Sequence, residues 1–115
     1  MDKIETYRNL IREFLEDLGQ ARVLGADKAD EFETQIIADT QHDHYQLLHL
    51  GWKEQERTFG VSIHIDIKNG KIWIQKNSTD IDIANELVKN GVPQNDIVLG
   101  LHSPSMRKYT DFAVA

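Results

Sequence analysis

The 115-residue chain contains no cysteine, which excludes a disulfide framework and a thiolate metal site. No apolar run approaches the length needed to cross a bilayer, and the opening MDKIETYRNL does not read as a signal peptide. The expectation is a cytoplasmic protein with no membrane partner. Basic residues are in short supply, with 13 Lys and Arg against 19 Asp and Glu, a net charge of -6 and a sequence pI of about 5.2. They are also scattered, Arg107-Lys108 being the only adjacent pair. Affinity for duplex DNA comes largely from neutralised phosphates, so strong independent DNA binding is disfavoured. GxSxG, Walker A, GxGxxG, HExxH and Ser-His-Asp arrangements are all missing. Nothing identifies an enzyme, and no cofactor is expected. There is no internal repeat, low-complexity segment or linker, so residues 1–115 read as a single domain, long enough to bury about two-thirds of its unfolded surface.

What is present is dominated by residues 60–75, GVSIHIDIKNGKIWIQ. Apolar and polar residues alternate on both sides of Asn69-Gly70, a pair that tolerates the positive φ angles of a tight hairpin turn. Counting back from the turn pairs Ile67 with Ile72, Asp66 with Trp73, Ile65 with Ile74 and His64 with Gln75. One face is then isoleucine (Ile63, Ile65, Ile67, Ile72 and Ile74), and the other carries His64, Asp66, Trp73 and Gln75.

Upstream, Ile4, Tyr7, Leu10, Ile11, Phe14, Leu15 and Leu18 recur at helical spacing, predicting an amphipathic helix that ends near Gly19 or Gly25. The acidic stretch Asp27 to Glu33 reads as a solvated connector. Strands are predicted over Phe32 to Thr40, Tyr45 to Trp52 and Arg57 to Lys68. A four-residue loop at Lys53 to Glu56 sets Leu48 opposite Val61 and Leu50 opposite Phe59. That puts Leu48, Leu50 and Trp52 on the isoleucine face, and Tyr45, Leu47 and His49 on the other, so the two hairpins agree on which side is core. After the fourth strand, Ser78-Thr79-Asp80 offers N-cap oxygens, with Asp82 placed as in a capping box. A helix through Ile83, Ala84, Leu87 and Val88 follows, stopped by Asn90-Gly91 and Pro93. Asp96 to Leu101 is a short apolar strand or helical turn, and an ordered tail finishes the chain. The predicted fold is α+β: an N-terminal helix, an antiparallel four-stranded meander, a second helix and the tail, with both helices on the isoleucine face.

Two constellations stand out. His42-Asp43-His44, His49, His64, Asp66 and His102 contain enough imidazole and carboxylate for a metal site, but no metal-ligand spacing sharpens the pattern. A polar sheet face with hydrogen-bonded histidines is the preferred reading, with no metal assigned. Asp66 opposite Trp73 lacks the partner that a general base needs. Trp73 is more instructive, because an indole on a polar face must be covered. Either the tail covers it, with Tyr109, Phe112 and Val114 as candidates, or a partner does. The candidate interface is Tyr45, His49, His64, Asp66, Trp73, Gln75 and Arg107; aromatic and Arg residues are the usual anchors of such surfaces.

Three blocks carry a resemblance: Asp43-His44-Tyr45-Gln46-Leu47; Gly60 to Gln75; and Asp82 to Val88 running on through Gly91-Val92-Pro93. The ending, Asp96 to Pro104 with Arg107, Thr110 and Phe112-Ala113-Val114, completes it. Together they are similar to the XisI-like family (fdxN element excision controlling factor protein) over nearly the whole chain. Residues 20–33 depart from the family pattern in length and wording.

The family is named for a controlling factor in excision of a DNA element that interrupts a nitrogen-fixation gene in cyanobacteria. The resemblance implies action by protein–protein contact with an XisH-like companion and, as a further candidate, a site-specific recombinase. It carries no catalytic residues. Two other functions fit the composition: an antitoxin-like inhibitor of a nuclease-like neighbour, and, with less support, a small metal-dependent enzyme. Self-association into a homo-oligomer is left open.

Overall fold

A computed structural model describes residues 2–24 and 31–115. Helix α1 (Lys3–Leu24) leads into strands β1 (Glu31–Asp39), β2 (His44–Lys53), β3 (Glu56–Lys68) and β4 (Lys71–Asn77). Helix α2 (Ile83–Lys89), a 3-10 turn (Gln94–Asp96), strand β5 (Ile97–Val98) and a short helix α3 (Pro104–Arg107) follow. The five strands form one sheet in the order β1-β2-β3-β4-β5. The first three pairings are antiparallel and β4-β5 is parallel.

The α+β class holds, but the four-stranded antiparallel meander does not. The reason lies in α2. It carries the chain across the sheet instead of turning it back, so the chain re-enters beside β4 in the same direction, as a parallel pair requires of a helical crossover. Only Ile72–Ile97 and Trp73–Val98 are paired there, too few residues to announce a strand in the sequence.

The helices pack on the isoleucine face as expected. Tyr7, Ile11 and Leu15 of α1 and Ile83, Ala84 and Leu87 of α2 join Ile63, Ile65, Ile67, Ile72 and Ile74 in one buried cluster. Helix α1 does not stop at Gly19. A side chain there would sit 3.0 Å from Thr34 Oγ1 and 3.4 Å from Leu47, so this glycine allows a close approach of helix to sheet and is not a terminator. The alternative end near Gly25 and most of the acidic connector lie outside the described residues; Glu31 to Glu33 belong to β1. Helix α2 is capped by Asp82 itself, whose carboxylate accepts from the Asn85 N–H, and not by the upstream 78–80 segment. Its end is a Schellman motif: the Val92 N–H donates to Leu87 O and the Gly91 N–H to Val88 O, with Gly91 at φ 99°.

The Asn69-Gly70 turn has the two positive φ angles, 53° and 76°, that the hairpin reading required. Pairs 67–72, 66–73 and 65–74 follow it as predicted. Beyond them a bulge leaves Gln75 extra, so His64 faces Lys76. The β2–β3 register also matches, with Leu48 opposite Val61 and Leu50 opposite Phe59, but a second bulge makes Ser62 extra. That residue inverts the face assignment of β2. Tyr45 and Leu47 lie opposite Ile65 and Ile63 and are fully buried in the isoleucine cluster. Leu50 and Trp52 share the other face with Phe59 and Arg57, and Leu48 sits there with Val61.

Candidate functional site

The face of the sheet opposite the helices is built from alternate residues of β2, β3 and β4. At its centre His44 lies opposite Asp66, and Gln46 opposite His64. The Asp66 side chain is only 11% exposed, against 24% for His64 and 55% for His44, so a carboxylate lies beneath two imidazoles. His44 Nδ1 is 2.8 Å and His64 Nε2 2.7 Å from the same oxygen, Asp66 Oδ1. The Gln75 amide donates to the other oxygen at 3.2 Å. Gln46 Nε2 is 2.8 Å from His64 Nδ1; with the amide as donor there, the His64 proton sits on Nε2 and points at Asp66.

Burial opposes ionisation of Asp66, yet the hydrogen bonds from His44, His64 and Gln75 prevail and hold its carboxyl below the usual range. The same contact with Asp66 raises the basicity of His44. His44 Nδ1, His64 Nε2 and an Asp66 oxygen all lie within 4.8 Å of one another. The start of β2 is pinned nearby: Arg8 grips Asp43, the residue before the strand, through two nitrogens at 2.7 and 3.2 Å, and Tyr45 donates to the same carboxylate at 2.9 Å.

Trp73 borders this cluster and is 8% exposed. The cover comes from its own chain. Gly100 passes so close that a side chain there would sit 3.2 Å from Trp73 Cε3 and collide with Gln75 Oε1. The Arg107 guanidinium lies 5.2 Å from the indole centroid and donates to the carbonyls of His102 and Gly100, tying the loop shut. Lys68 Nζ is 4.2 Å from the same centroid. The indole Nε1 is buried without a hydrogen-bond partner.

The tail residues expected to cover Trp73 do other things. Tyr109 and Val114 are exposed, Phe112 packs against the isoleucine cluster, and Ala113 bridges to Val98 beside β5.

Of the seven residues expected to form an interface, the structure gathers His64, Asp66, Trp73, Gln75 and Arg107 on this face. Tyr45 is buried in the core and presents no surface. His49 lies on the helix side, its Nδ1 2.6 Å from the Ser62 hydroxyl. His44 and Gln46 take their places. Farther along the same face Trp52 and Phe59 are 44% and 64% exposed, with the Arg57 guanidinium 5.3 and 5.8 Å from their rings. Reasoning from sequence missed this aromatic pair because the Ser62 bulge hid which face it occupies.

A single sheet sealed by helices on one side, with a histidine–carboxylate cluster and exposed aromatics on the other, defines a two-layer α+β module with one open face. A family model, XisI protein, matches residues 1–114, and the chain belongs to that family. An XisI-like protein from Anabaena variabilis ATCC 29413 is 43% identical, with a TM-score of 0.88 over 97% of this chain and 99% of that one. The fdxN element excision controlling factor XisI from Anabaena variabilis ATCC 29413 is 38% identical, with a TM-score of 0.79 over 99% of this chain and 100% of that one. No curated protein is significantly similar to the chain.

Proposed function

We propose that the protein is a non-catalytic controlling factor for excision of a DNA element. Its similarity over full length to the fdxN element excision controlling factor XisI supports the excision role. In this reading it works by contact with an XisH-like companion, a site-specific recombinase, or both. The observation that favours protein contact is the open sheet face. Isolated surface apolar residues need no explanation, but two aromatics bracketing an arginine, beside a second cluster of polar side chains, match the composition of interface anchors. The net charge of -6 favours a protein partner over direct DNA contact.

The contact residues are His64, Asp66, Gln75 and Arg107 at one end of the face and Trp52, Arg57 and Phe59 at the other, with Trp73 acting through the loop that covers it. Co-expression with an XisH-like protein, followed by size-exclusion chromatography with light scattering, tests the reading. A mixed complex is expected. A folded protein that never associates with the companion or the recombinase rejects it.

A further inference from the structure

The His44, His64 and Asp66 cluster has a property that a hydrogen-bonded polar face does not require: three donor atoms of types that bind metal converge on one point from three strand positions. We infer that it is a binding site for one first-row divalent cation, with His44 Nδ1, His64 Nε2 and Asp66 Oδ1 as ligands.

The geometry is close to what coordination demands. Ligands about 2.1 Å from a tetrahedral ion lie roughly 3.4 Å apart. The two imidazole nitrogens are 2.8 and 2.7 Å from Asp66 Oδ1 and within 4.8 Å of each other, so each contact with the carboxylate must open by about 0.6–0.7 Å. His44 is half exposed and can swing by that amount without disturbing the core. Its exposure also leaves the fourth position open to water or to a donor from a docked protein.

Outer contacts are in place as well. Metal-binding imidazoles have their second nitrogen held by a hydrogen bond, and ligating carboxylates have theirs. Gln75 holds the second Asp66 oxygen. Gln46 stands at His64 Nδ1, and a half-turn of its amide presents oxygen in place of nitrogen, accepting the proton that Nδ1 carries once Nε2 is a ligand. Two nitrogens and one oxygen suit zinc, nickel, cobalt or ferrous iron; magnesium and calcium prefer all-oxygen sites.

Calorimetric titration of zinc into the tag-free, chelator-treated full chain tests the site. One equivalent should bind, and magnesium should not. His44→Ala and Asp66→Asn should each abolish binding, His44→Ala while melting close to the wild type. Gln46→Met should weaken it by about tenfold through the outer contact. His42→Ala should leave it unchanged, since the His42 Nδ1 already engages Asp39. Absence of saturable zinc binding, or a wild-type isotherm in both His44→Ala and Asp66→Asn, overturns the inference. His44→Ala removes a half-exposed side chain and keeps the test decisive if Asp66→Asn fails to fold.

Discussion

The two tryptophans lie on the same face of the same sheet and have opposite fates. Trp73 is sealed by Gly100 and Arg107, at the cost of an indole N–H without a partner. Trp52 stands 44% exposed where β2 pairs with β1 and β3, with Arg57 against its ring. The difference teaches that burial on this face follows from the chain's route and not from residue type: the loop after β5 passes over Trp73 of β4, while no other described segment is seen to cover the β2–β3 hairpin tip.

The contrast can be broken most forcefully at the covered end. Trp73→Ala should destabilise the protein by about 3 kcal/mol, as removal of a buried indole does, whereas Trp52→Ala should cost no more than about 0.5 kcal/mol. Urea unfolding of both variants checks this, and equal costs would refute the contrast. Next in size is Gly100→Ala. The added methyl has no room beside Gln75 and Trp73, so a loss of about 1–2 kcal/mol is expected from overpacking. In a Trp52→Phe background the remaining Trp73 fluorescence should shift to the red as the loop lifts.

Acid should also tell the two ends apart. Arg8 depresses the carboxyl of Asp43, and Tyr7 that of Asp96. Both groups lie where α1 meets the Trp73 end. A carboxyl lowered in the folded state stabilises fully above its unfolded value, here 3.8, and that contribution is lost as pH falls through the folded value. Amide protection near His44 and Ile67, taken relative to intrinsic exchange, should therefore fall below about pH 4, and Asp43→Asn should flatten that response. The smallest effect on stability belongs to Phe59→Ser, within about 0.5 kcal/mol, yet it should weaken the proposed complex with an XisH-like companion. An unchanged affinity would remove the exposed end from the interface.

Much of this architecture could be read from the residues because its signals are local. The Asn69-Gly70 turn sets three β3–β4 pairs, and helical spacing places Tyr7, Ile11 and Leu15 on the core. The rest depends on contacts between distant residues. Ser62 is accommodated as an extra residue where its hydroxyl meets His49, and Gln75 where its amide meets Asp66 beneath Gly100. Neither contact leaves a mark in the alternation of a single strand, so His44 and Gln46 could not be told from Tyr45 and His49. Strand β5 escaped for a similar reason: its position is set by where α2 ends, not by its own two residues.

The Ser62 bulge has a bearing on how such a chain can change in length. Strand β3 carries two frames of alternation, out of step by one, joined at that residue. A descendant lacking Ser62 would keep the other side chains on their present faces and lose the local kink together with the His49 and Ser78 contacts made there. A deletion a few positions to either side would turn the hairpin tip over, sending Trp52 and Phe59 toward the helices. Ser62, and Gln75 on the neighbouring strand, are thus places where this sheet can lose a residue without scrambling its two surfaces.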